Sequence, residues 1–493
     1  MVRELASDRS GKPYQWLSRA GRVRSSSARV PDKAAPRQRA SFQYPPVAMA
    51  WGQWRPDVAA DSTLGSFRPL SPKSGRSMEI LMAAVRKNGK SPRAVIIGGS
   101  TSGLMTAALL RQQAWEVNIY ERSPIALVGR GAGIVCHDEL FRALERSSAG
   151  TKDLGVEVEE RVAFDDEGQI IGRREFPQTV TSWDRLFQLV RKTVPDDCYH
   201  LNHHLARVEQ DGDVVRAIFE NGNVVEGDLL VGADGFRSAV RQHFLPEVQP
   251  EYSGYLIWRG LADESALDPK IRDLVFDKFT FHFPHGTEIL GYPIAGINND
   301  LRAGKRRYNW VWYRKTSAAA LDDMLTDGDG RYNALGIAPA AIRPQFVAQM
   351  RADADMIVSP PLRHVLAKID NPFFTPILDL LSPRFNEGRI ALVGDAAVVA
   401  RPHVGYGTTK AAADAVALAD AIGTGDGDLP ARLRHYSDDR HGVGALCFHR
   451  GRQLGSWISG DEPRTQKERD EYADLHTIEG VLRHVASGEF LLI

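Results

Sequence analysis

Cysteine is scarce in this chain, with three among 493 residues. Cys136, Cys198 and Cys447 lie far apart and form neither a metal nor a redox motif. Also missing is any apolar run near the ~18 residues that a membrane span needs. Net charge is absent as well: Lys+Arg and Asp+Glu stand at 62 each. That balance implies neither nucleic acid nor an anionic partner. Together these absences point to a reducing compartment, expected to be the cytoplasm, and to no membrane or nucleic-acid partner. What remains is ordinary for a globular protein, 43% hydrophobic and 25% charged, and long enough for two or three domains.

The zero conceals an asymmetry. Residues 1–92 hold 17 Lys+Arg and 6 Asp+Glu, a net of +11, so the remainder carries 45 and 56, a net of −11. The basic stretch RVRSSSARVPDKAAPRQRA has no apolar periodicity and reads as a disordered extension over 1–90. It has no signal-peptide core, and Glu4, Asp8 and Asp32 argue against a transit peptide. A natural start near Met78 or Met82 is the expectation.

The stretch that organises the chain is Ala94 to Arg122. Ala94–Ile97 reads as a buried parallel strand. Gly98-Gly99-Ser100-Thr101-Ser102-Gly103 follows as a turn, then a helix with Leu104, Ala107, Ala108 and Arg111 at helical spacing. A second strand, Val117–Tyr120, ends in Glu121. Such a βαβ unit holds a dinucleotide. Gly98 permits the turn, Gly103 lets helix and strand approach, and N–H groups at the helix start face a pyrophosphate. Glu121, 18 residues after Gly103, stands where a carboxylate accepts a ribose hydroxyl. Ser100 takes the place of the second glycine of G-x-G-x-x-G and restricts backbone approach slightly.

Further along, a glycine-rich loop containing Arg130 leads into a helix from about Asp138. A helix starts near Thr181 or Ser182. Hairpin turns fall at Asp211-Gly212 and Asn221-Gly222. The histidines His200, His203 and His204 fit no zinc spacing and read as surface or strand residues. A second buried strand, Asp228–Gly232, ends in Ala233-Asp234-Gly235. From Tyr252 to Lys315 the chain is β-rich and aromatic. Period-two alternation puts Phe279, Phe281 and Phe283 on one face, with Thr280 and His282 on the other. This antiparallel sheet could wall a flat apolar ligand. A third buried strand, Arg389–Gly394, leads to Asp395-Ala396-Ala397. The loop Arg401-Pro402-His403-Val404-Gly405-Tyr406-Gly407-Thr408 then opens a helix.

Three glycine-bearing loops thus follow three apolar strands, at the ligand-facing edge of an open α/β sheet. In this order, GGSTSG, GADGFRS and GDAA with RPHVGYG, they resemble the fingerprints of the class A FAD-dependent aromatic hydroxylases, the para-hydroxybenzoate hydroxylase group. The likeness runs from about Arg93 to Tyr436. GGSxSGL, YxxWRG, NWVWYR and GDAAVxxRPHxxxG look most like its dihydroxypyridine monooxygenase branch. The sequence departs from the group at Ser100, at Val398 after GDAA, and at Trp183, where the R-x-x-L helix motif usually has arginine.

The resemblance implies that Gly98, Gly99, Ser100, Ser102 and Gly103 hold the FAD pyrophosphate. Glu121 would hold the adenosine ribose, with Arg122 beside the adenine and Arg130 near the pyrophosphate. Asp234-Gly235 would meet the cofactor and are tied to NAD(P)H use. Asp395 would bind the ribitol chain or pyrophosphate, and Pro402, Gly405, Gly407 and Thr408 would pass the isoalloxazine. The expected fold is a Rossmann-like α/β FAD domain, discontinuous over 91–175, 190–250 and 376–440. A β-rich substrate domain covers 251–375 and a helical region 441–493. The implied reaction hydroxylates a phenol or hydroxypyridine with NADH or NADPH and O2, through a flavin C4a-hydroperoxide. A histidine near neutral pKa suits removal of a ring proton; His403 is the first candidate and His282 the second. Tyr292 and Trp312 are further site candidates, and a homodimer is an option. A reductase or dehydrogenase on the same scaffold, or a catalytically silent flavin-binding protein, stays open.

Overall fold

The computed structural model of the chain describes residues 91–491, except 128–132, 285, 335, 461, 462 and 464. The extension 1–90 and Arg130 therefore lie outside the described residues.

A six-stranded sheet runs in the order Asn386–Glu387, Ile390–Leu392, Leu229–Gly232, Arg93–Ile97, Glu116–Tyr120, Tyr199–His200. Its central pairings are parallel, and only the first pair is antiparallel. The apolar runs of the middle strands follow from burial on both faces. The helix Thr101–Gln112 is buried along Thr101–Leu110. It packs against the helix Gly407–Thr424. The helix expected near Thr181 runs Trp183–Arg191, capped by Ser182, whose hydroxyl accepts from the Arg185 N–H at 3.1 Å.

A nine-stranded sheet is built around the long strand Glu251–Asp263, flanked by Arg307–Lys315 and Phe373–Leu381. It also takes Gly133–Val135, Val156–Phe164 and Ile170–Ser182, so the chain crosses between the two sheets repeatedly. The sheet is not purely antiparallel: Lys278–His282 runs parallel to Val156–Phe164. Its two faces differ. Trp258, Trp310 and Trp312 pack with the helices Pro344–Ile357 and Pro360–Ala367. Phe279, Leu290, Tyr292, Val311 and Tyr313 lie on the other face. The two hairpins form a separate three-stranded sheet, with Gly212 and Gly222 at positive φ in the turns.

Two buried charge clusters pin the loops between these layers. Arg161, wholly buried, donates to the carbonyl oxygens of Leu482, Val485 and Ala486 and to Gln178. It thereby fastens the C-terminal segment to the sheet, and burial pushes its pKa down to about 9. In the second cluster, Asp414 accepts from the Gly394 N–H at 3.0 Å, from Lys410 at 2.7 Å and from Arg440 at 2.9 Å. Lys410 donates in turn to the Gly394 carbonyl at 2.9 Å. Burial raises the Asp414 pKa, but Lys410 and Arg440 outweigh it and hold the carboxyl below its ordinary value.

Asp414→Asn should therefore cost about 3–5 kcal/mol by leaving two buried cations without their partner. The Asp414 carboxyl is held low, so its contribution is present above the ordinary carboxylate range and lost as pH falls. Denaturant titrations at descending pH should show the gap between wild type and variant narrowing.

Candidate functional site

The turn at Gly98 sets the site. Gly98 has φ +105°, and a Cβ there would lie 2.3 Å from the Ala233 carbonyl oxygen. A Cβ at Gly103 would lie 2.0 Å from the Gly98 oxygen. Only glycine lets the helix start approach both strand ends this closely. Gly99 N–H donates to Glu121 Oε2 and Ser123 N–H to Glu121 Oε1, each at 2.9 Å. Tyr199 O–H donates to the Gly99 carbonyl at 2.8 Å. Glu121 thus braces the turn from within as well as edging the cleft. Ser100, extended at the helix N-cap, makes no capping bond with its hydroxyl.

A cleft of about 750 Å³ opens on this turn, lined by Gly98, Glu121, Arg122, His203, His204 and Asp234. His203 and His204, expected from sequence to be surface or strand residues, are on its wall. Tyr120 stacks on His200 at 4.8 Å and meets His203 edge-on at 5.2 Å. Asp234 Oδ2 accepts from the Val240 N–H at 3.2 Å, while its buried Oδ1 has no partner among the described residues. Burial raises its pKa.

A second cavity of about 390 Å³ joins the cleft at Ser100, Trp183, Ala233 and Gly235. Asp395, Pro402, Gly405, Gly407 and Thr408 line one side, and Ser102 lies at the helix start. Asp395 is surrounded by protein yet open to this cavity, and burial raises its pKa. Cβ atoms added at Gly235 and Gly407 would meet nothing within 4 Å. The backbone there is bare toward the cavity. His137, its pKa lowered by burial, donates from Nε2 to the Gly405 carbonyl at 3.1 Å and steadies the loop.

The sheet forms the opposite wall, with Arg259, Tyr292 and Tyr313 among its side chains. Tyr292 lines the cavity, and burial pushes its phenol up to about 12. It is a hydrogen-bond donor at neutral pH. The two histidine candidates do not line the cavity, and that expectation is corrected. His403 is buried behind the wall, stacked on Tyr313 at 4.1 Å. Its Nε2 lies 3.0 Å from the Tyr255 hydroxyl and its Nδ1 2.9 Å from Glu288 Oε2. His282 points to the far face, 3.0 Å from Asp166 and accepting from the Ser359 N–H. Burial lowers its pKa. The cause is strand alternation: the cavity takes the Phe279 face, which is not the His282 face. Trp312 is likewise on the far face, donating to Thr287 Oγ1 at 2.8 Å.

Arg259 is the residue that sequence analysis passed over. It pairs across the ladder with Val311 and lines the cavity. Among the described residues no carboxylate forms an ion pair with its guanidinium. The available signal was a cation in the middle of the aromatic strand YLIWRG.

The FAD binding domain-like family matches residues 252–379. The 2,6-dihydroxypyridine 3-monooxygenase of Paenarthrobacter nicotinovorans is 30% identical over 366 residues, covering 74% of this chain and 91% of that protein. The chain belongs to the FAD-dependent aromatic monooxygenases. The solved 2,6-dihydroxypyridine-3-hydroxylase of Arthrobacter nicotinovorans matches with TM-score 0.71 at 28% identity, over 76% of this chain and 95% of that one. Klebsiella pneumoniae HpxO, solved with FAD and uric acid, shares the fold at TM-score 0.63 and 22% identity, over 81% and 96%.

This monooxygenase is a flavoprotein, and its two joined cavities fit FAD. The glycine turn, the unpartnered Asp234 oxygen, the open Asp395 carboxylate and the bare Gly407 backbone suit a long ligand bearing phosphates and hydroxyls. Among the described residues no helix is long and apolar enough to cross a membrane.

A raised carboxyl pKa makes a protein less stable as pH rises through that pKa. Asp395→Asn removes this burden, so in the absence of FAD the variant should be more stable than wild type at neutral pH. The difference should vanish on acidification. Thermal melts of the FAD-free proteins across pH check both the sign and the window.

Proposed function

We propose that this enzyme hydroxylates a small electron-rich ring, a hydroxypyridine or phenol, bound as its ring-oxygen anion against Arg259 and Tyr292. The observation that carries this reading is a guanidinium that no described carboxylate pairs with, set beside a protonated phenol on a cavity wall that also carries Phe279, Leu290 and Val311. Arg259 attracts the ring oxyanion and lowers the pKa of the bound hydroxyl. Tyr292 donates a hydrogen bond to the same oxygen. Phe279, Leu290 and Val311 keep water from the ring, which strengthens both interactions. The dihydroxypyridine monooxygenase relative supports the choice of ring.

In this reading the helix start at Gly98–Gly103, with Ser100 and Ser102, holds the FAD pyrophosphate. Glu121 and Arg122 take the adenosine end, with His203 and Tyr120 beside the adenine. Asp234-Gly235 and Asp395 hold the middle of the cofactor. Pro402, Gly405, Gly407 and Thr408 pass its ring system, where the N-terminus of the helix Gly407–Thr424 favours negative charge. When bound, FAD takes reducing equivalents from NAD(P)H and activates O2, so that one oxygen enters the ring. His403 is a positioning residue, fixing Tyr313 through the Glu288–His403–Tyr255 contacts. We read the cytoplasm as the place of work, on three free cysteines and the demand for NAD(P)H.

The deciding experiment follows NADH and NADPH oxidation and O2 uptake with a panel of hydroxypyridines and phenols. One compound should accelerate both and yield its hydroxylated product. Reduction without aromatic-stimulated O2 uptake would make the protein a reductase instead.

Two variants test the roles. Arg259→Gln should weaken binding of the ring anion roughly tenfold or more and raise the spectroscopic pKa of the bound compound; Arg259→Lys should restore part of both. His403→Ala should lower kcat/KM by a similar factor at every pH. A changed shape of the pH profile would instead make His403 the proton acceptor.

A further inference from the structure

The 390 Å³ cavity is closed at one place by a strained residue near the end of the chain. Val485 and Ala486 line it together with Gly405, Phe279 and Tyr292. Ala486 has φ +51°, in the left-handed region where glycine is the ordinary occupant. Gly98 and Gly405 meet the same need with no side chain. At residue 486 the chain carries a buried methyl group instead.

Strain of this kind persists where the surroundings over-determine the backbone. The Ala486 N–H donates to the His403 carbonyl at 2.7 Å. Its own carbonyl accepts from Arg161 at 3.1 Å and from Gln178 at 3.0 Å. The Val485 carbonyl accepts from Arg161 at 2.6 Å. On the other side the segment presses on the loop Pro402–Thr408: a Cβ at Gly405 would lie 2.7 Å from both Cα and Cβ of Ala486. None of these bonds uses the methyl group, so glycine would satisfy them all without strain. What the methyl group adds is bulk at the edge of the cavity.

The sheet shows which end of the cavity this is. Arg259, Val311, Leu290 and Phe279 come from four successive strands, and all four line the cavity. Arg259 pairs with Val311 and Val311 with Leu290, while Phe279 stands one strand further on. Three strand spacings, about 14 Å, therefore separate Arg259 from Phe279. Arg161 is the ladder partner of Phe279 on the next strand and lies 5.5 Å from its ring centroid. The carbonyls that Arg161 holds thus bring Val485 and Ala486 to the Phe279 end. A ring whose oxyanion meets Arg259 turns its far side toward them.

We propose that Ala486 is a specificity-determining residue: its methyl group, with Val485, excludes substituents on the ring carbon farthest from the oxyanion. The inference rests on the binding mode given above, in which Arg259 takes the ring oxygen. It also gives the left-handed alanine a purpose that the fold alone does not require.

Two variants are compared with wild type, all FAD-loaded: Ala486→Gly and Val485→Ala. Each opens the same end, but they move stability in opposite directions. Glycine relieves the left-handed backbone, whereas Val485→Ala leaves a hole in a buried cluster. Perturbation of the flavin spectrum gives Kd for the responsive hydroxypyridine or phenol and for two methyl homologues, one substituted opposite the ring oxygen and one beside it. In both variants the affinity for the opposite-methyl homologue, relative to the parent, should rise about tenfold, while the other ratio holds within about twofold. Melting temperature should rise in Ala486→Gly and fall in Val485→Ala. Specificity then moves one way while stability moves both ways, which a merely structural role would not produce. Unchanged ratios in both variants overturn the assignment, as do ratios that rise and fall with stability. An equal gain for both homologues overturns it too, because the segment would then bound the whole cavity and not one end. A wild type that holds no FAD, or binds no aromatic compound, sinks the underlying reading instead.

Discussion

The site depends on one close approach. The turn at Gly98 presses against the Ala233 carbonyl, at a distance that no side chain at residue 98 allows. Around that point the strand ends are tied together: Gly98 N–H donates to the Tyr120 carbonyl at 2.9 Å, Ala233 N–H to Ile97 at 2.7 Å and Val393 N–H to Gly232 at 3.0 Å. Three loops far apart in sequence therefore leave the sheet side by side. Convergence of their bare backbone and of Asp234 and Asp395 follows from strand pairing, not from any property of the loops themselves. The Lys410–Asp414–Arg440 cluster then locks Gly394 from behind, so the Asp395 carboxylate faces the cavity at a fixed place.

The second sheet contributes by having two unlike faces. Tryptophans fill one against helices, and the other presents Phe279, Tyr292, Tyr313 and Arg259 to the cofactor side. A flat ring between this wall and the Pro402–Thr408 loop meets the Arg259 guanidinium and the phenols of Tyr292 and Tyr313. That suits an anionic aromatic compound. The C-terminal segment closes the same space, since Val485 and Ala486 line it and Arg161 holds it down.

Much of this was legible in the sequence because it is local. The strand–turn–helix from Arg93 to Gln112 is written in apolar runs and glycines. So are the strand ending at Gly232, the strand expected to Gly394 that ends at Leu392, the helix start at Thr181 or Ser182 and the hairpins at Gly212 and Gly222. What escaped depends on which way a side chain faces once strands pair. His282 already alternated with Phe279, so the two could not both meet one cavity; only the fold decides which face is the inner one. His403 sits in a loop whose sequence carries no sign that Tyr313 covers it. His203 and His204 reach the 750 Å³ cleft because Tyr199–His200 adds an edge strand beside Tyr120. Arg259 was visible as a charge inside an aromatic strand, a conflict between pattern and burial that often marks a functional position.

The central claim is that one atom of O2 enters an aromatic ring at the cavity bounded by Arg259, Tyr292 and the Pro402–Thr408 loop. Isotope labelling tests it most directly. With FAD, NAD(P)H and the responsive aromatic compound under 18O2, mass spectrometry should find one labelled oxygen in each product molecule, and none when only the water is labelled. Product oxygen drawn from water, or an unmodified ring after NAD(P)H has been consumed, would contradict the account.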